Sequence, residues 1–196
     1  MNETLSFFNL QINNIQTKLD ISSDLAYLLL KKFEWNEEDV ISNWSKDQSG
    51  ILRSLNIDTD TITCKENLRL MQIENGLCPI CNQNQPLYQL YCKHSACIEC
   101  WKNNILNQVK SHKIAQCVHN QSKPCNSILF SQDVQSLFDE QIHQNYVKGI
   151  LDDFIDSNPN IYRCNSRICN EIILKDESLP CNLGLCRKCN YHFCFK

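Results

Sequence analysis

Between Cys78 and Cys125 the chain places seven cysteines and one histidine in a fixed order: Cys78-Pro79-Ile80-Cys81, Cys92-Lys93-His94, Cys97-Ile98-Glu99-Cys100, then Cys117 and Cys125. Eight such ligands are enough for two tetrahedral zinc ions, because zinc favours thiolate sulfur and imidazole nitrogen and a Cys-X-X-Cys turn presents two sulfurs to one ion. A chain built this way is stapled by metal rather than by a large apolar core. Few large hydrophobic residues separate the ligands, so zinc there is expected to supply folding free energy, and its removal to unfold the region.

Disulfides or inert buried thiols are the competing readings, and context decides against them. The N-terminus, Met1-Asn2-Glu3-Thr4-Leu5, has no basic stretch followed by an apolar one, so nothing marks the chain for secretion. The longest purely apolar run, Leu25 to Leu30, is far shorter than a membrane span. A reducing compartment, cytosol or nucleus, follows as the expectation, and there paired Cys-X-X-Cys steps around an interposed histidine read as metal sites.

Cysteine usage also divides the chain. Residues 1 to 77 hold only Cys64, whereas residues 78 to 196 hold thirteen cysteines. Over 1–46 three short helices are expected. Leu5, Phe8, Ile12 and Ile15 fall three and four apart; Ser22 or Ser23 caps a helix ending near Phe33; Asn36 caps a third, with Glu37, Glu38 and Asp39 at its positive end and Val40 stapled on Trp35. Phe33, Trp35, Ile41 and Trp44 are their expected core. Residues 47–77 read as a linker with at most a short helix near Ile51 to Leu55, and Cys64 has no partner at metal spacing. Ile98, Trp101, Ile105 and Val109 predict a helix directly after the Cys97 and Cys100 ligands. A stripe from Val134 to Phe154 predicts one helical stretch from Ser131 to about Asp156, ended by Pro159 and serving as a rigid spacer between zinc modules.

A second cysteine group follows. Cys164, Cys169, Cys186 and Cys189 can close one further zinc site, leaving Cys181 and Cys194 over. The formal net charge is −3, with 19 basic against 22 acidic residues, and the basic ones are scattered, which disfavours a phosphate track and hence nucleic acid. There is no Gly-rich phosphate loop, no G-x-S-x-G elbow and no H-E-x-x-H motif.

The order Cys78, Cys81, Cys92, His94, Cys97, Cys100, Cys117, Cys125 resembles a RING domain. The resemblance implies a cross-brace: Cys78, Cys81, Cys97 and Cys100 on one zinc, and Cys92, His94, Cys117 and Cys125 on the other. It also implies a shallow apolar surface for a ubiquitin-conjugating enzyme, with Ile80 as the matching contact; packing of the zinc knuckle is the other reading of Ile80. Seven residues separate Cys117 from Cys125, and Asn126 stands where many RINGs carry an arginine. That closing loop resembles the first RING of RING-in-between-RING (RBR) ligases. His119 within it is a weaker ligand candidate, because Cys117 and Cys125 already complete the site.

Cys164-X4-Cys169 with Cys186-X2-Cys189-X4-Cys194 is similar to the in-between-RING domain of the same family, whose second site needs a Cys-X-X-Cys beginning at Cys194 and a later His and Cys. Leu19-Asp20-Ile21, Leu28 to Phe33 and Trp35-Asn36-Glu37-Glu38 resemble the ubiquitin-associated-like (UBA-like) domain of Ariadne-type members. The expected fold is therefore an all-α three-helix UBA-like module (1–46), a linker (47–77), a cross-brace RING (78–130), a helical spacer (131–160) and a truncated in-between-RING domain (161–196). These are small zinc-stapled α+β modules with two zinc ions in the RING and one or two beyond it, Cys194 included among the ligands. The implied activity is ubiquitin transfer by thioester relay to a cysteine of a second RING outside this chain. Neither Cys181 nor Cys194 qualifies as that nucleophile, so no catalytic residue is assigned and the chain alone is expected to be inactive in transfer. Implied partners are the conjugating enzyme, ubiquitin, a substrate protein and a neddylated cullin. A RING-containing adaptor without transferase activity is the alternative.

Overall fold

A computed structural model describes residues 2–57, 64–66, 68–111, 113–119, 125–164, 166, 169, 171–175 and 183–194. Three helices come first: α1 (Asn2–Leu19), α2 (Ser23–Lys32) and α3 (Glu37–Ser54). Their starts follow local chemistry. Ser22 caps α2 by accepting the Leu25 N–H at 3.3 Å, and the Asn36 side chain accepts from Glu38 and Asp39 at the head of α3. The α2–α3 turn puts Glu34 and Trp35 consecutively in the left-handed region, at φ 52° and 64°. An indole there is strained, and its burial explains why the strain persists: the ring packs edge-on against Phe154 at 4.5 Å and donates to Ser157 Oγ at 2.9 Å.

The third helix runs past residue 46, through a kink at Asp47, whose carboxylate accepts the Gly50 N–H and restarts the helix. The stretch read as linker thus holds the second half of α3, the buried residues Ile51, Leu52, Ile57 and Leu68, and a strand, β1 (Met71–Leu77). This strand pairs antiparallel with β2 (Asn84–Gln89), which pairs with β3 (Ser95–Cys97). Weak periodicity concealed β1, whose side chains are mostly solvent-exposed.

Helix α4 (Ile98–Lys110) begins at the cysteine ligands as expected, with Trp101, Ile105 and Val109 buried. The stretch from 131 is two helices, not one. α5 (Ser131–Leu137) ends where Phe138 turns extended, and Asp139 caps α6 (Glu140–Ser157) by accepting the Ile142 N–H. A capping residue inside an otherwise helical stripe was the missed signal.

Nor is α6 a bare spacer. It packs on α1 and α4, Lys31 pairs with its Asp153 at 2.6 Å, and Asn158 at its C-terminal end donates to Gln11. The hairpins β4 (Ile161–Arg163) with β5 (Ile172–Leu174) and β6 (Leu183–Leu185) with β7 (His192–Cys194) complete the fold. Among the described residues no helix is long and apolar enough to cross a membrane.

The expectation of an apolar-poor metal region needs correction. Leu90, Tyr91, Ala96, Trp101, Ile105 and Ala115, all between the first and last ligands of the run, are buried in the same core as Leu29, Trp35 and Phe154. That core is continuous from Ile12 to Ile161. The third group stands apart: among the described residues Cys164, Cys169 and Cys186 form a separate small cluster with Ile173 and Cys189 packed on it.

Candidate metal centres and the groove between them

Three foursomes of ligand atoms converge, each with its atoms within 4.8 Å of one another: Cys78, Cys81, Cys97 and Cys100; Cys92, His94, Cys117 and Cys125; and Cys164, Cys169, Cys186 and Cys189. The first two interleave along the chain, which is the cross-brace connectivity. The sheet causes it. β2 and β3 carry the chain from the Cys78–Cys81 turn past Cys92 and His94 and back, so that Cys97 reaches the first pair while the intervening loop is left for the second foursome.

Sulfur spacing separates metal sites from disulfides. Zinc–sulfur bonds of about 2.3 Å in a tetrahedron put sulfurs about 3.8 Å apart, whereas a disulfide brings them to about 2.05 Å. The pairs Cys78–Cys100, Cys81–Cys97, Cys92–Cys117 and Cys169–Cys186 stand at 3.9, 3.7, 3.7 and 3.7 Å, and Cys164–Cys189 at 3.4 Å. None of the described cysteines is bridged. The buried His94 Nδ1 has no hydrogen-bond partner, as a nitrogen reserved for a metal would not. The residues therefore fit zinc, which would act here by cross-linking loops.

Local electrostatics prepare thiolates. The Cys117 thiol beside Cys92 holds it down to about 5, outweighing burial, with His94 and its backbone N–H adding to the effect. Burial pushes Cys78 up, but N–H groups of Cys97, Cys81 and Ile80 prevail and bring it to about 6; Cys186 is likewise brought to about 7 by N–H groups of Cys189 and Lys188 against burial. In the first two foursomes a thiol facing that thiolate is pushed the other way: burial and its sulfur neighbours raise Cys100, and Cys92 raises Cys117.

The Cys117–Cys125 interval is pinned by a short antiparallel bridge. Cys117 N–H donates to Ser127 at 2.8 Å, Leu129 to Ala115 at 2.9 Å and Cys125 to His119 at 3.2 Å. His119 is not part of a foursome; its ring lies flat on His94, centroids 4.2 Å apart and 5° from parallel. Ile80 is 45% exposed and lines a cavity of about 280 Å³ with Pro79, Lys93, His94, Ser95, Val118 and His119, opening between the two loops. Pro79, Lys93 and Val118 had no signal of their own in the sequence beyond adjacency to ligands. Cys181 and the Cys194 side chain lie outside the described residues; the Cys194 backbone is in β7. Cys64 serves structure, its carbonyl accepting the Ser22 N–H at 2.7 Å.

Comparison with known proteins agrees with this geometry. Residues 144–196 match the family described as the IBR domain, a half RING-finger domain. Over 94% of its length the chain is 22% identical to the probable E3 ubiquitin-protein ligase rbrA of Dictyostelium discoideum, covering 36% of that protein. It is 25% identical to the potential E3 ubiquitin-protein ligase ariadne-2 of Caenorhabditis elegans, covering 39% of it, and 21% identical to human cullin-9, covering 7%. The chain thus spans less than two-fifths of the length of each of these relatives.

Proposed function

We propose that this chain, which resembles RBR-type E3 ubiquitin ligases along nearly its whole length and carries an IBR domain, is the part of such a ligase that recruits a ubiquitin-charged conjugating enzyme. The observation carrying the reading is the half-exposed Ile80 at the mouth of a groove walled by the two metal loops, with Leu77 also exposed beside the first ligand. An apolar anchor in a rigid, metal-fixed rim suits a protein surface better than a small substrate. In this reading the first two foursomes hold two zinc ions in a first RING and the third holds an ion in the in-between-RING domain, with Cys194 belonging to that domain's second site. Ubiquitin would pass to a cysteine outside these residues and then to a substrate lysine, so the chain alone would bind without transferring. Its proposed location is the cytosol or nucleus, where thiolate ligands of this kind stay reduced.

We read α1–α3 as the UBA-like module. Its neddylated-cullin partner follows only from the Ariadne-type resemblance, with cullin-9 among the relatives as its one further support.

Ile80→Ala is expected to weaken conjugating-enzyme binding by about five- to tenfold in calorimetric titration, as loss of an interface anchor does, while zinc content stays at the wild-type level. Unchanged affinity would sink the reading.

A further inference from the structure

An imidazole ligand must aim an in-plane lone pair at the ion, and proteins usually secure that aim by having the other ring nitrogen donate to a carboxylate or carbonyl. With Nδ1 left for the metal, the rest of the His94 ring shows no such device: among the described residues no carboxylate or backbone carbonyl accepts from it. What holds the ring instead is another ring. His119 lies over it at 4.2 Å and 5°.

The stacking residue is itself anchored by the same site. His119 N–H donates to Cys117 Sγ at 3.4 Å, and its carbonyl accepts the Cys125 N–H at 3.2 Å. Two ligands of the second foursome therefore fix the His119 backbone, and its side chain covers the remaining histidine. We propose that His119 is a positioning residue of the second metal centre, which orients His94 by the face of its ring and not by a nitrogen. The proposal rests on the reading of Cys92, His94, Cys117 and Cys125 as a zinc site. It also explains why a histidine inside a ligand-spaced loop need not be a ligand: the foursome is complete without it, and a flat aromatic surface is what the site lacks.

The test is zinc release from the full chain to a chromogenic chelator, with histidine ring nitrogens followed by 15N NMR. His119→Ala is expected to release one ion about tenfold faster, the scale of lost support around a ligand. The other two ions should leave at the wild-type rate. His119→Phe, which keeps a flat ring but no nitrogen, is expected to return that rate to within about twofold of wild type, with the metal-bound His94 signal preserved. Unchanged release from His119→Ala would overturn the proposal, as would His119→Phe releasing as fast as His119→Ala, which would assign the effect to the nitrogen. Acceleration of all three ions would overturn it too, as a general loosening of the fold. A wild-type His94 with no metal-bound nitrogen signal would instead remove the zinc reading of the site, and the proposal with it.

Discussion

Asp24 and Asp133 are buried carboxylates at which charge and geometry oppose each other. Asp24, on α2, accepts the Leu68 N–H at 3.0 Å, and Asp133, on α5, accepts the Leu70 and Phe130 N–H groups, so both hold the segment that leads into β1. Burial pushes Asp24 up to about 6, against the pull of Arg69 and the Leu68 N–H and with a small push from Asp133. The folded state then holds a proton more tightly than the unfolded one. Its contribution is greatest below the unfolded value near 3.8 and is lost as pH rises to about 6. Above that the charged group costs on the order of 2 kcal/mol. Asp24→Asn keeps an acceptor for Leu68 and removes the charge, so it is expected to be more stable than wild type at pH 7.5, with the gain about 1 kcal/mol smaller at pH 5.5 in urea unfolding. An equal gain at both values would rule out this origin. Neither aspartate carries a sequence signal, since an acidic residue near a helix start reads as a surface charge. The metal ligands do carry one, because thiolate turns work at fixed short spacings.

The helices were legible where a cap or an apolar stripe was local. Ser22, Asn36 and the Ile98–Val109 stripe each predicted an element that formed. What spacing did not reveal was partnership: Trp35, expected as core of the N-terminal helices, is shared with α6 through Phe154 and Ser157. Trp35→Ala should cost about 3–5 kcal/mol, as deletion of a fully buried aromatic does. Hydrogen exchange should then quicken in both α1–α3 and α6, whereas a Trp35 serving the N-terminal helices alone would loosen only them. The break at Phe138–Asp139 followed the same logic, since an Asp side chain that caps one helix must end the stretch before it.

For the molecule as a whole, the unequal cores predict unequal dependence on metal. The first two foursomes are embedded in the continuous core, whereas among the described residues the third has Ile173 and Cys189 packed around it and no link to that core. Cys186→Ser is therefore expected to unfold the segment from Cys164 on alone, with helical circular dichroism and the other two ions retained; unfolding of the whole chain would contradict it. Arg163, paired with Asp152 at 2.6 Å and Asp156 at 3.2 Å, leaves that lobe tethered to α6. Ligand identity and order were legible in the amino-acid sequence, because tetrahedral thiolate chemistry tolerates few spacings; the pairing into interleaved foursomes was an expectation from the RING resemblance, and the convergence of those side chains is a tertiary fact. The exposed strand β1, the shared core under α6, the clamp of Asp24 and Asp133 and the ring of His119 laid on His94 were decided only by tertiary structure. Those features depend on which surfaces meet, and residues far apart in the chain leave no periodic trace of meeting.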